Sequence, residues 1–271
     1  MKYLILVVIY NRSLKDSQSI RSLIESLSTL EGSTFFIWDN SLERQPENEL
    51  DWFQKETHKN NFIYKHTSQN TSLSEIYNTF TTLTPQKHDF IILLDHDTSF
   101  DSQLFDAHKK ALKSCDPVNL YLPIVKFKDK IVSPGKQLLF KSLPYKHLNP
   151  GLTASRHNTA INSGMIIRWS YFTGIFKGYD KRLKFYGTDD YFMMEYRKTN
   201  KYFYLLDYTI HHDLTCNPDA DDIYKFKASF QEAQKSFLIL HSNGRPLSMA
   251  GLVVFIRRLK HTIKFKISFF N

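Results

Sequence analysis

Apolar residues recur along this chain in short unbroken runs, each closed by a polar turn. Tyr3-Leu4-Ile5-Leu6-Val7-Val8-Ile9 comes first, followed by Thr34-Phe35-Phe36-Ile37-Trp38, Phe62-Ile63-Tyr64 and Phe90-Ile91-Ile92-Leu93-Leu94. Runs of this length, rich in β-branched and aromatic residues, predict strands buried on both faces. Between the first two, Ile20, Leu23, Ile24, Leu27 and Leu30 fall at the three–four spacing of an amphipathic helix, which Glu31-Gly32-Ser33 stops. Before the fourth run, Ser72 with Glu75 three residues on forms a capping box for another helix. Residues 42–60 are polar, with Trp52-Phe53 as their one hydrophobic anchor, and predict no element. The order strand–helix–strand–strand–helix–strand argues an α/β fold with a Rossmann-like, mostly parallel central sheet covered by helices on both faces.

Beyond the fourth run the signals are shorter. A helix is predicted from about Ser102 to Ser114, and a strand over Leu120–Val125 that Pro123 restricts to an edge or a bulge. Residues 129–159, rich in Lys, Pro, Gly and Ser, have weak periodicity and read as loop. Ala160–Arg168 returns to strand character, with Gly164 allowing close backbone approach. Trp169–Phe176 reads as helical, a further helix opens near Gly187-Thr188-Asp189-Asp190, and Tyr202–Leu206 is a strand leading to His211-His212. No repeat or linker divides residues 1–215, so one domain is expected there, with 216–271 as a C-terminal helical extension.

Composition narrows the partners. The formal charge of +9 favours acidic ligands such as nucleotides or anionic lipid. Nucleic acid is disfavoured, because the basic residues concentrate in the tail and no recognition motif accompanies them. Cys115 and Cys216 supply neither a zinc spacing nor a disulfide framework, which fits a reducing compartment. The opening run lacks a small-residue cleavage site and reads as a first core strand, and no segment reaches the roughly 18 apolar residues of a membrane span. From Arg245 to Asn271 there is no Asp or Glu, while Arg257, Arg258, Lys260 and Lys264 are interleaved with Leu, Val, Ile and Phe. Such a basic amphipathic segment suits an anionic membrane surface, or equally a helix packed on the core with a solvated basic face.

In open α/β sheets, ligands bind outside the carboxyl ends of the strands. Three runs end there in polar residues: Tyr10-Asn11, Asp39-Asn40-Ser41 and Asp95-His96-Asp97. On an extended strand end, Asp95 and Asp97 point the same way and repel unless a cation or a shared proton lies between them. A hard divalent metal held by these carboxylates and a substrate phosphate is one resolution, and an ordinary Asp turn is the other. Asp189 and Asp190 are adjacent at a helix start, where acids also suit the dipole. Their side chains diverge by about 100°, so only one can face a given site.

In their order and spacing these residues resemble family 2 glycosyltransferases of the GT-A fold, over about residues 3–215. Val8-Ile9-Tyr10-Asn11 is similar to the family's first strand and nucleotide loop, and Asp39-Asn40-Ser41 to its base- or ribose-binding acid and the two residues after it. Asn70, Ser72, Ile76 and Asn78 match an Asn, Gly, Ala, Asn pattern, with Ser for Gly and Ile for Ala. Asp95-His96-Asp97 matches the DxD motif, and Gly178-Tyr179-Asp180 the Gly-Phe-Asp segment before the catalytic helix. Asp189 and Asp190 resemble the Glu-Asp pair that holds the general base, with either one eligible, and His212 or His211 a late metal-binding histidine. The resemblance implies an inverting, metal-dependent transferase of the polysaccharide-biosynthesis type, which includes rhamnosyltransferase-like members. It implies Mn²⁺ or Mg²⁺ on Asp97, Asp95 and His212, and a UDP-, dTDP- or GDP-linked donor on Tyr10, Asn11, Asp39, Asn40, Ser41, Asn70, Asn78, Asp95 and His96. It also implies a saccharide or lipid-linked acceptor chosen by residues 129–159, in bacterial surface polysaccharide synthesis. The expected location is the cytoplasm, peripheral on the inner face of the membrane through residues 245–271. The other readings are a nucleotidyltransferase, for which the first loop lacks glycines, and a non-catalytic scaffold binding glycan or membrane.

Overall fold

The computed structural model describes residues 1–84, 86–114, 117–212 and 223–270. Strand β1 (Tyr3–Ile9) is buried at every position. Its alternation sends Leu4, Leu6 and Val8 into one apolar core and Tyr3, Ile5, Val7 and Ile9 into another, which explains its lack of polar alternation. Helix α1 (Gln18–Glu25), β2 (Thr34–Asp39), α2 (Glu47–Glu56), β3 (Asn61–His66), α3 (Leu73–Thr79) and β4 (Phe90–Asp95) follow. The four strands are parallel in the order β4-β1-β2-β3. Their register sets Val8 beside Asp95 and Ile9 beside Asp39, so the polar strand ends share one edge.

Helix α2 occupies the polar stretch in which no element was expected. Only Leu50 and Phe53 of its residues are buried, too few to produce a readable period. Acids in its first turn and Lys55 in its last complement its dipole instead.

The chain continues through β5 (Thr98–Ser99), α4 (Gln103–Ser114), β6 (Leu120–Phe127), β7 (Lys130–Ser133), β8 (Gly135–Leu138), β9 (Lys141–Pro144), β10 (Gly151–Ala154) and β11 (Asn158–Thr159). The loop expected over 129–159 is therefore largely strand. β7 joins β6, β10 lies at the edge of the main sheet, and β11-β8-β9 form a small separate sheet. These strands are short and β9 is exposed at every position, so they carry no hydrophobic pattern.

After β12 (Met165–Arg168), α5 (Thr188–Thr199) and β13 (Tyr202–His212), two helices end the chain, α6 (Ile223–Ser242) and α7 (Met249–Phe265). The main sheet reads β10-β13-β6-β12-β4-β1-β2-β3, parallel from β4 to β3 and mixed on the other side of β4. Strand β6 is thus internal, so of the edge and bulge positions expected from Pro123 the structure shows the bulge. The missing Pro123 amide is accommodated by a bulge in β13, where Leu205 pairs with Leu122 but Thr209 with Ile124. On the other side Gly164, at φ +85°, leaves room for the ring, since a Cβ there would lie 3.0 Å from Pro123 Cγ. The expected helix at Trp169–Phe176 is a single wide π-type turn, Tyr171–Ile175. Its Tyr171, Phe172 and Phe176 enter an aromatic cluster with Tyr179 and Phe192 that fixes the approach to α5.

Candidate active site

The acidic turn after β4 is tied down by the start of α1. The Ser17 hydroxyl donates to the His96 carbonyl at 2.8 Å and also caps the helix by accepting from the Ile20 amide. The Ser19 hydroxyl reaches the Thr98 carbonyl at 3.0 Å and the Asp95 carbonyl. Beyond the turn β5 pairs with β13, setting Ser99 opposite His211 and Thr98 opposite His212. Asp95 also accepts a hydrogen bond from the Ser163 hydroxyl. With both ends of the turn fixed, Asp95, His96 and Asp97 all face one cavity of about 590 Å³ at the carboxyl edge of the sheet.

Tyr10, Asn40 and Asn70 line the same cavity. Asn40 joins two loops: its amide nitrogen donates to Asn70 Oδ1 and to the Thr71 carbonyl, each at 2.8 Å, and its oxygen accepts from the Thr71 amide at 2.7 Å. Asn70 and Asn11 hold φ of 50° and 48°, left-handed conformations that asparagine tolerates better than most residues.

Asp39, Asn11, Ser41 and Asn78 stand behind the wall and shape it. The fully buried Asp39 carboxylate accepts from the Ser41 amide, the Gln45 amide and, at 2.6 Å, the Tyr64 hydroxyl. Burial first, and then this bond, push the Tyr64 phenol well above its ordinary value. Ser41 Oγ accepts from the Asn11 amide at 2.8 Å, closing the first loop over the second. Asn78 clamps the Tyr179 peptide, donating to its carbonyl at 3.0 Å and accepting from its amide at 2.7 Å. Gly178 is required by that clamp: its φ is +88°, and a Cβ would sit 2.8 Å from Asn78 Oδ1.

The opposite wall was not anticipated as part of a site. Lys184, Phe185 and Tyr186 come from the loop before α5, which is stitched to α3 by the Leu73 amide donating to the Lys184 carbonyl at 2.8 Å. Ala228, Ser229 and Glu232 come from α6, in the segment expected to lie outside the main domain. In the sequence Lys184 is one lysine among many. The α6 residues sit on a helix whose inward face is set only by tertiary packing.

Asp189 and Asp190 open α5 behind Gly187, whose φ of 78° makes the sharp turn. Asp189 accepts the Asp190 amide at 2.9 Å. Burial, then the neighbouring charge of Asp190, and more weakly that of Asp95, raise the Asp189 carboxyl from 3.8 to about 7. Burial raises the Asp190 carboxyl as well, and the Arg197 guanidinium pulls it back in part. Tyr77, fully buried, has its phenol pushed up by burial and by the charges of Asp95, Tyr179 and Asp189. The divergence expected of adjacent helix residues therefore takes a definite form. Asp189 feels the charge of Asp95 and acts on Tyr77, whereas Asp190 feels that of Arg197.

His211 lines a different cavity, of about 600 Å³, with Glu25, Asp101 and Asp207. The side chain of His212 lies outside the described residues, although its backbone stands opposite Thr98, next to Asp97. Among the described residues no three His, Cys, Asp or Glu side chains converge as a metal cage. Asp95 and Asp97 alone present carboxylates from one turn, the donor type that hard divalent ions take together with substrate phosphates.

No protein-family model matches the sequence, and no curated protein matches it either. Solved structures do match the fold. Staphylococcus aureus TarS 1-349 (the S. aureus protein) aligns with TM-score 0.58 and 13% identity, over 95% of this chain and 78% of that one. GalNAc-T7, solved with UDP, GalNAc and Mn²⁺, aligns with TM-score 0.59 and 11% identity, over 98% of this chain and 58% of that one. The mannosyltransferase PcManGT from Pyrobaculum calidifontis, in complex with GDP-Man and Mn²⁺, gives TM-score 0.58 and 10% identity, over 93% and 69%. The chain thus has the GT-A fold, a mixed α/β architecture it shares with glycosyltransferases that bind nucleotide sugars.

Proposed function

We propose that this chain is an inverting glycosyltransferase of family 2 type, moving a sugar from a nucleotide-diphosphate donor to a saccharide or lipid-linked saccharide acceptor in bacterial surface polysaccharide synthesis. The observation that carries the reading is the pinned Asp95-His96-Asp97 turn, opening on a cavity at the carboxyl edge of a GT-A sheet. Tyr10, Asn40 and Asn70 on the same cavity are placed for the nucleoside, in loops that Asp39, Ser41 and Asn11 keep rigid.

Two carboxylates on one turn suit Mn²⁺ or Mg²⁺, and Asp97, Asp95 and His212 are the residues that would hold it. Bound there, the cation would neutralise charge on the departing diphosphate. Lys184, across the cavity, adds a second positive charge toward the same leaving group. An acceptor hydroxyl attacks the anomeric carbon as the bond to the diphosphate breaks, and its proton passes to a carboxylate. Asp189 is our choice for that base, because its carboxyl feels the charge of Asp95 and because its raised value leaves it a capable proton acceptor near neutral pH. Asp190 is the alternative that the comparison of variants decides. The short strands of residues 129–159, which α5 meets through Arg197 on Gln137 and the Asn158 carbonyl, are our candidates for acceptor selection.

Helix α7 extends the reading to a surface. Met249, Leu252, Ile256, Leu259 and Ile263 repeat at three–four spacing and are all exposed, whereas Ala250 and Val254 on the other face are buried. The exposed stripe has Lys260 and Lys264 to one side, which suits an anionic membrane interface. Among the described residues no helix is long and apolar enough to cross a membrane.

The test is a thermal-shift screen of UDP-, GDP- and dTDP-linked sugars with Mn²⁺, followed by turnover. One donor class should stabilise the chain only when metal is present. Asp97→Ala should lose both the metal-dependent stabilisation and transfer. Substantial turnover by that variant would overturn the metal assignment.

A further inference from the structure

The α6–α7 hairpin encloses a second cavity, of about 570 Å³. At about 100° per residue, Ala228, Ser229 and Glu232 centre on one face of α6 and Phe230 and Gln234 on the opposite face. The first group lines the donor cavity and the second lines this one, so the two spaces are separated by the width of the helix.

Lys141 of β9 and Arg257, Lys260 and His261 of α7 converge on its wall, and no acidic residue lines it among the described residues. Arg257 is held in place: its guanidinium donates to the Phe140 carbonyl at 3.3 Å and lies 4.4 Å from the Phe237 ring centre. Gln234 is 5% exposed and lines the same space, yet its amide oxygen has no hydrogen-bond partner among the described residues. A buried acceptor left without a donor is unfavourable, so a ligand bringing a donor would gain affinity at this position. The cations ask for an anion, and the amide oxygen asks for a hydroxyl beside it. The cavity's apolar wall, Val253 and Ile256, runs into the exposed stripe of α7, where a hydrocarbon tail can lie.

We infer that this cavity is a binding site for the glycerophosphate headgroup of an anionic lipid. The phosphate pairs with Lys141, Arg257 and Lys260, and a headgroup hydroxyl donates to Gln234. The inference rests on the membrane reading of α7 for the source of the phosphate alone, and it is independent of the donor-site reading.

Co-sedimentation of the full chain with vesicles of phosphatidylglycerol mixed with phosphatidylcholine tests it, beside calorimetric titration with free glycerol 3-phosphate. Lys264→Gln removes one charge outside the cavity and measures diffuse surface attraction, a loss of about fivefold. Lys141→Gln should exceed that loss. Gln234→Leu changes no charge and should also weaken vesicle binding about fivefold or more, with its melting temperature unchanged or raised. Binding by Gln234→Leu equal to wild type, with Lys141→Gln no worse than Lys264→Gln, would overturn the site while leaving α7 as a membrane face. Should Gln234→Leu fail to fold, the contrast between the two lysine variants decides alone. Glycerol 3-phosphate binding without vesicle binding would uphold the site and reject the membrane reading. Failure of both ligands would reject the site.

Discussion

The two carboxylates at the start of α5 differ by what surrounds them. Asp189 shares its surroundings with Asp95 and Tyr77, and its proton is held up to about 7, by burial first and Asp190 second. A base in transfer must be ionised, so turnover should fall as pH drops below the midpoint of kcat/KM. A cation bound beside Asp95 favours the carboxylate, which places that midpoint at or below about 7. The same shift acts on stability with the opposite preference. Between 3.8 and about 7 the folded chain holds a proton that the unfolded chain has released, so stability is lost as pH rises through this window. Asp189→Asn removes that burden. It should reduce transfer by about 10²-fold or more while raising the melting temperature of the metal-free protein at pH above 7 by about 2–4 °C, a gain that fades toward pH 4. Asp190→Asn should leave transfer within a few-fold of wild type while lowering the Asp189 midpoint, because it removes the neighbouring charge; loss of transfer in Asp190→Asn alone would assign the base to Asp190. The pair itself was legible in the sequence, because helix geometry alone separates adjacent side chains. Which one meets other acids of the site was not, since that depends on Asp95 arriving from β4, about a hundred residues away in the chain.

At the scale of elements, the acidic turn shows how a buried strand acquires a rigid polar tip. β4 supplies the apolar body, and the hydroxyls of Ser17 and Ser19 supply the anchor to the carbonyls of residues 95, 96 and 98. Ser17 plays two parts, as helix cap and as turn tether, and a capping residue alone is worth about 1 kcal/mol. Ser19→Ala removes the tether and leaves the cap, so it should weaken Mn²⁺ binding, read by titration, with a melting point lowered by only a few °C. Ser17→Ala should lower both. Equal metal affinity in wild type and Ser19→Ala would show that the turn needs no support from α1. The strand and its acids were readable as a run followed by two carboxylates. The serines were not, because nothing in Asp16-Ser17-Gln18-Ser19 reveals a partner some eighty residues away. The same applies to Asn78, which matches a family position and in the structure clamps Tyr179. Residues 129–159 escaped reading for the opposite reason. Their strands are two to four residues long and mixed in burial, and their pairing is held by backbone bonds that leave no hydrophobic trace.

Across the whole molecule, α6 links two surfaces that the sequence presented as separate. It packs on the start of α5, where a Cβ at Gly187 would lie 3.0 Å from Leu240, and it gives Ser229 and Glu232 to the donor cavity. Its other side is bound to α7 through Phe226 and Phe230 against His261, Phe265 and Phe269. Residues 216–271 read as an extension, and from Arg245 the composition is free of acids, but composition carries no information on what a helix covers. Because α7 supports α6 and α6 walls the donor cavity, the two faces of α7 should have separable effects. Leu252→Ser with Ile263→Ser alters only the exposed stripe, and should move the protein from the vesicle pellet to the supernatant with unchanged donor affinity. Val254, 4% exposed, is on the supporting face, and Val254→Ser should cost about 2–4 kcal/mol and raise the donor Kd severalfold through a loosened α6. Isothermal titration with the donor and co-sedimentation with anionic vesicles separate the outcomes. A Val254→Ser protein that binds donor as tightly as wild type would show that α6 holds its place without α7, and the hairpin would then be a membrane anchor independent of the active site.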